Sequence, residues 1–345
     1  MSSIKYFISN YRVLLLFIAI ISIANASKWT YKADILTSKQ EKNISIRELV
    51  GNVSIEKDSI LLTTDRAILF QNTDQLELFG DVTMIFEDDT LSCDTLYYYN
   101  NDYIVASGNI HLFNQRESIN SDSLFFWPKN DSALASGDVI IKNESSTMTS
   151  NRFRYWLNDN RYSFMASEDV ALFMETDTVR GNYLNYFDFK NQMEILENAS
   201  ITREFQRLVG DSILIDIEGT LVNQVTIKGN PEIFNTIKIK SNNQIAAKKY
   251  VDIMNGKLIN LFYNNNQLQK TNITGMATSL YHIINDDIID GINEVTGDNI
   301  YISFVDNQIS SMKVSGGSVG IFSPDENNSD LEGIIEYEAD SIFYD

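Results

Sequence analysis

The chain has 345 residues, 43% of them hydrophobic, and a formal net charge of −20 from 47 acidic and 27 basic side chains. That balance argues against nucleic acid or an anionic membrane surface as a partner, because both demand concentrated Lys and Arg. With a single cysteine, Cys93, no internal disulfide can form, and stability must come from the apolar surface that a chain of this length can bury.

At the N-terminus, Lys5 and Arg12 precede an apolar run from Val13 to Ile23, which is broken only by Ser22. Ala24-Asn25-Ala26 then supplies the small-x-small pattern of a cleavage site, which predicts a signal peptide over residues 1–26 and an exported mature chain over 27–345. A membrane-spanning helix needs about 20 apolar residues, and this run has 11. No Cys follows it to accept a lipid, and no later segment is apolar and long enough to span as a helix. Cys93 is expected to pack as a small apolar side chain.

From residue 51 a motif recurs at a nearly constant spacing. It reads Gly51-Asn52-Val53-Ser54-Ile55, Gly80-Asp81-Val82-Thr83-Met84, Gly108-Asn109-Ile110-His111-Leu112 and Gly137-Asp138-Val139-Ile140-Ile141. Weaker copies begin at Glu168-Asp169-Val170 and Glu197-Asn198-Ala199, and successive first residues lie 29, 28, 29, 31 and 29 apart. A second motif starts at Asp65, Asp94, Asp122, Asn151, Asn182 and Asp211, always 14 residues after the first. Two motifs that keep one period and one phase mark a stacked repeat. Few prolines, many Tyr, Phe, Ile and Val, and Asn or Asp at the turns make the repeat all-β, with no convincing amphipathic helix after the signal.

Side chains of one parity share a face of a strand. Counting from the Gly, positions −4, −2, +2 and +4 are Leu76, Leu78, Val82 and Met84, then Ile104, Ala106, Ile110 and Leu112. The next copies have Ala133, Ala135, Val139 and Ile141, then Phe164, Ala166, Val170 and Leu172. After the Asp, positions +2 and +4 are Ala67 and Leu69, Leu96 and Tyr98, and Leu124 and Phe126, with Phe153 continuing the row. Each repeat therefore has a continuously apolar face, and the Gly sits mid-strand, where a bulge or bend is expected. A bend at the same place in every repeat predicts a β-stack folded along a crease around an apolar interior.

The phase is regular over 45–216 and degrades over 217–345, which reads as worn copies of the same fold. Gly229-Asn230-Pro231 restarts the first motif, and Ile245-Ala246-Ala247-Lys248 resembles Leu91-Ser92-Cys93-Asp94. Gly297-Asp298-Asn299-Ile300 and Asp340-Ser341-Ile342-Phe343 resemble the Asp motif. Lys238, Lys240, Lys248 and Lys249 are expected to form one solvated strand face.

The pairing of Gly-Asn-Val-x-Ile with a later Leu/Ile-x-x-Asp-x-Leu-x-Tyr resembles the OstA-like family of lipopolysaccharide-transport proteins, which includes LptA and the N-terminal domain of LptD. Gly80–Met84 with Leu91–Tyr98, and Gly108–Leu112 with Ile119–Phe126, carry the resemblance best, within a span of roughly 45 to 305. It implies an open β-jellyroll (a β-taco) in the periplasm whose interior holds lipopolysaccharide acyl chains and whose copies stack end to end between the two membranes. The chain departs from the family in being about twice the length of one bridge module and in lacking a C-terminal membrane barrel.

The resemblance implies a lipid-binding inner face of Leu69, Leu76, Leu78, Val82, Met84, Leu96, Tyr98, Ile104, Ile110, Leu112, Leu124, Phe126, Val139, Ile141, Phe153, Val170 and Leu172. The implied partners are lipopolysaccharide and other transport proteins, through edge-strand pairing or head-to-tail self-association. By composition alone, such a face serves either as a packed core or as a lipid groove. A structural repeat protein or adhesin is the alternative, although no anchor or secretion domain accompanies the repeats. A β-helix enzyme acting on polysaccharide would need acids, bases or metal ligands clustered on one face. The aspartates here are spread evenly along the stack, and His111 and His282 lie in separate repeats, so no catalytic residue, metal site or cofactor is assigned.

Overall fold

The computed structural model describes residues 29–345 except 42–43, 58, 74, 100–101, 159–160, 220, 240–247, 286–287, 306–307, 326–332 and 345. The signal-peptide reading over 1–26 therefore lies outside the described residues. The described chain is built from antiparallel strands, with two single-turn 3-10 helices at Pro128–Asn130 and Asp188–Lys190 and no α-helix among the described residues. It forms two compact units. The first takes in residues up to Glu175 together with Asn185–Lys190, and the second takes in Thr176–Leu184 with Asn191–Asp345.

In the first unit, β1 (Thr30–Lys32) and β2 (Ile35–Glu41) both pair with β3 (Ile44–Lys57). A meander follows through β4 (Ile60–Phe70), β5 (Gln75–Phe86), β6 (Asp89–Tyr99), β7 (Tyr103–Phe113), β8 (Glu117–Trp127), β9 (Ser132–Asn143), β10 (Ser146–Asn158) and β11 (Arg161–Met174). Each of these strands pairs with the next, from β3 to β11. The all-β, repeating antiparallel stack expected from the sequence is the observed architecture.

Every second strand carries one extra residue at the Gly-Asx step. In β5 the register slips between Phe79 and Val82, and Gly80 (φ 79°) and Asp81 (φ 42°) are both left-handed. The same left-handed pair occurs at Gly51-Asn52, Gly108-Asn109, Gly137-Asp138 and Glu168-Asp169, each at a register slip. The Gly thus opens a β-bulge, which bends its strand. Across the bend, buried residues on the bulged strand are four apart (Leu78 and Val82), but on its neighbour they are three apart (Thr64 and Ala67). The extra residue keeps the two strands level, and the bend divides each into a first arm before the Gly and a second arm after it.

The second unit repeats this plan. Its strands are β12 (Asp177–Phe187, split between the units after Leu184), β13 (Gln192–Arg203), β14 (Gln206–Glu218), β15 (Leu221–Lys228), β16 (Glu232–Ile239), β17 (Lys248–Asn255) and β18 (Leu258–Asn264). They are followed by β19 (Gln267–Asn285), β20 (Ile288–Val305), β21 (Gln308–Pro324) and β22 (Ile335–Tyr344). β14 pairs with β15 on one arm and with β16 on the other, so β15 and β16 are two arms of one course bent at Gly229-Asn230. β17 and β18 divide likewise at Gly256-Lys257 before β19 spans both arms. Left-handed pairs return at Glu197-Asn198, Gly275-Met276 and Gly316-Gly317, each at a register slip.

These bends place the later motifs. Asp298 lies against Gly316, and Asp340 stands opposite Gly316-Gly317, as the sequence resemblance requires. The likeness of residues 245–248 to Leu91–Asp94 does not hold. Lys248 pairs with Ile239 at the far end of its arm, and Lys257 holds the place of the Asp, packed against Gly275. Residues 240 and 245–247 lie outside the described residues, and the register sets Lys238 opposite Lys249.

Candidate functional site

A single sheet cannot bury one of its own faces, yet on both arms the residues of one parity are buried. This requires the arms to lie face to face, and long-range contacts join them. In the first unit, Trp29, beside the second arm, packs edge-on against Tyr98 of the first arm with 6.0 Å between centroids. The Lys57 ammonium lies 4.9 Å from the Trp29 centroid. In the second unit, Arg203 Nε and Nη2 donate to Asp177 Oδ1 and Oδ2 at 2.5 and 2.8 Å on the second arm. Tyr263 of the first arm feels both charges. Its hydroxyl is pushed up to about 12, mainly by burial.

The crease itself is built from side chains. The aspartate on the preceding strand covers the Gly, and a Cβ at Gly80 would come 2.6 Å from Asp65 Oδ2. The same cradle pairs Gly51 with Asp34, Gly108 with Asp94, Gly137 with Asp122, Gly229 with Asp211 and Gly316 with Asp298. Asn52 Nδ2 donates to Asp34 Oδ2 at 2.9 Å, and Asn109 Nδ2 donates to Asp94 Oδ2 at 3.0 Å. Where Glu replaces the Gly, Asn replaces the Asp. Asn151 Nδ2 donates to Glu168 Oε2 at 2.8 Å, and Asn182 Nδ2 to Glu197 Oε2 at 2.7 Å. The evenly spread acids are therefore structural turn chemistry.

All the residues expected on the inner face, from Leu69 to Leu172, are buried, none more than 8% exposed. They come together across both arms of the first unit. First-arm members include Leu78, Leu96 and Phe126, and second-arm members include Val82, Ile110 and Leu172. Sequence reasoning missed a further row on the second arm, Leu62, Leu91, Ile119 and Met148, which is equally buried. Its signal was an apolar residue three before each Asp or Asn. A second missed signal is the small residue just before that position: Thr64, Cys93, Ser121, Ser150, Gly181, Gly210, Gly256 and Gly297. Thr64 Oγ1 donates to the Phe79 and Gly80 carbonyls at 2.8 and 3.0 Å, so the hydroxyl satisfies the crease. At Gly210 an added Cβ would meet Ile227 Cγ2 at 2.6 Å, so the glycine makes room for the next strand.

Cys93 packs on this face, and burial pushes its thiol up to about 12, which keeps it protonated and unreactive at neutral pH. Of the two histidines, His111 Nδ1 lies 2.5 Å from Asn120 Oδ1. His282 is packed but not isolated, because its Nδ1 is 2.8 Å from Asp252 Oδ1 and its ring stands 5.1 Å from Tyr250. The described residues contain no group of three or more His, Cys, Asp or Glu side chains that could hold a metal ion.

Asp89, at the far end of the second arm, is buried, and it accepts from Asn114 Nδ2 at 3.0 Å. Burial raises its carboxyl above the usual carboxylate range, while the Asn114 bond opposes this and Asp88 and Glu87 add to it. Its folded pKa exceeds its unfolded one, so its favourable contribution is complete below the unfolded value and is lost as pH rises through the folded one. Asp89→Asn keeps an acceptor for Asn114 and removes the buried charge. It is expected to stabilise the protein by about 1 kcal/mol at neutral pH, near the low end of what burying a polar group costs. Thermal unfolding should show this gain at pH 7 and lose it near pH 3, and an equal gain at both would contradict the assignment.

Residues 29–126 match the family model described as OstA-like protein. Residues 118–220 match the model described as LptA/(LptD N-terminal domain) LPS transport protein. Among solved structures, the chain is similar to LptH, the LptA homologous periplasmic component of the conserved lipopolysaccharide transport device from Pseudomonas aeruginosa. The two are 16% identical over 40% of this chain and 94% of that chain, with a TM-score of 0.30. No curated protein matches the chain.

Proposed function

This chain belongs to the OstA-like family of lipopolysaccharide-transport proteins, and from that premise we propose that it carries lipopolysaccharide by holding the acyl chains between the two arms of its bent strands. The family is one of transport proteins, not enzymes. The observation that carries the reading is the inner face itself, apolar on both arms from Val53 to Leu172 and buried throughout. Those side chains are already shielded from water by one another, so a lipid gains little from covering them. The gain comes from the lipid, since each methylene removed from water contributes about 0.8 kcal/mol. Entry then requires the arms to part where Trp29, Lys57 and Tyr98 meet. The acidic exterior is compatible, because hydrocarbon and not the phosphorylated head supplies the affinity. In this reading the mature chain works in the periplasm, between inner and outer membrane, and meets other transport proteins by strand pairing at sheet edges.

Photo-crosslinking tests it. A crosslinker at Leu78, Val82, Leu96 or Ile110 is expected to capture lipopolysaccharide, whereas one at Thr83 or Tyr97, on the opposite face, is not. Equal capture at both sets would refute the groove.

A further inference from the structure

The interior changes character in the last two repeats of the second unit. Four residues after the left-handed position, the earlier repeats place Ile55, Met84, Leu112, Ile141, Leu172, Ile201 and Ile233, all buried. The same position after Gly275 is Ser279, and after Gly316 it is Gly320. Gly320 has no Cβ for a reason of space, because one would lie 2.0 Å from the Tyr337 ring. The room left at Gly320 is filled by the ring of Tyr337. Asn293, only 3% exposed, donates through Nδ2 to Tyr281 Oη at 2.7 Å and accepts from Tyr337 Oη at 2.7 Å. Tyr337 Oη is 2.5 Å from Tyr344 Oη, and the Tyr281 and Tyr344 rings meet edge-on at 6.4 Å. Tyr281, Asn293 and Tyr337 belong to the second arm and Tyr344 to the first, so this network ties the arms together. Beside it, Ser279 is fully buried with its hydroxyl unpartnered.

We infer that this cluster is specificity-determining, and that it excludes acyl chains from the last two repeats of the second unit. The inference rests on the acyl-chain reading proposed above. An alkyl chain lying between Tyr337 and Tyr344 would separate half-buried hydroxyls that hydrogen-bond to one another and to the buried Asn293, and it offers no donor or acceptor in return. Each group so orphaned disfavours occupancy by roughly tenfold. The aliphatic repeats impose no such penalty, so the boundary falls where Ser279 and Gly320 replace Ile and Leu.

The test uses the full chain and lipopolysaccharide as the probe, with a photo-crosslinker at Leu78 or at Val314, an inward first-arm residue of the last repeats. Capture at Val314 should be at least about tenfold below that at Leu78. The Tyr281→Phe/Asn293→Leu/Tyr337→Phe variant should raise it toward the Leu78 level, and the shape-preserving Tyr344→Phe variant should raise it part of the way. Capture at Leu78 with equal capture at Val314 overturns the boundary, as does failure of both variants to raise Val314 capture. No capture at Leu78 sinks the acyl-chain reading itself. The wild-type comparison of the two positions stands even where the triple variant fails to fold.

Discussion

Arg203→Ala is expected to destabilise the second unit by about 3 kcal/mol, the lower part of the range for breaking a buried ion pair. The Asp177 side chain is 0% exposed, and Arg203 meets both of its oxygens. The Arg203 side chain is itself 34% exposed, so what the pair contributes through attraction is moderated by water. The loss arises on the other side, because truncation strands a carboxylate that solvent does not reach. Replacing both partners with apolar side chains of similar size, Arg203→Met with Asp177→Leu, removes the stranded charge and is expected to restore most of the stability. Urea unfolding of the two variants decides between these accounts. A single variant within about 0.5 kcal/mol of the parent, the usual range for an inert surface position, would mean that Asp177 finds another partner or water.

The same pair illustrates what could be read from sequence and what could not. The crease was readable because both of its parts are local and repeated. Gly80 needs a left-handed backbone, Asp65 fills the space above it, and the 14-residue phase records a strand and a turn. The inner face followed from parity, and every residue assigned to it is buried. The bends at Gly275-Met276 and Gly316-Gly317 escaped because the Asn or Asp after the Gly is gone, although the backbone still turns left-handed there. Lys257 escaped because a lysine stem fills the Asp position by packing and not by hydrogen bonding. The contacts between arms left no trace in the periodicity. Tyr263 approaches Arg203, and Tyr344 meets Tyr281 and Tyr337, across sequence separations set by how the arms fold together and not by any local preference.

The crease also makes a prediction of its own, since the chain holds two solutions to one geometric problem. The first is Gly over Asp; the second is Glu over Asn, seen at Glu168 with Asn151 and at Glu197 with Asn182. Gly80→Glu alone places an L side chain at φ 79° and drives its Cβ toward Asp65 Oδ2, with a second carboxylate beside the first. Left-handed backbone costs such a residue about 1–2 kcal/mol, and steric adjustment around the aspartate is expected to bring the total to about 3 kcal/mol. Asp65→Asn alone keeps the shape of the side chain and removes the charge, so its effect should be small. The double variant re-creates the Glu-Asn hydrogen bond seen at Glu168 with Asn151 and at Glu197 with Asn182. It should recover on the order of 1 kcal/mol relative to the sum of the singles, the coupling expected of residues in direct contact. The steric and conformational share remains, because Asn is as large as Asp. A double-mutant cycle in urea isolates the pairing term, and strict additivity would show that the Gly-to-Glu exchange is tolerated at residues 168 and 197 for reasons unconnected with the asparagines opposite them.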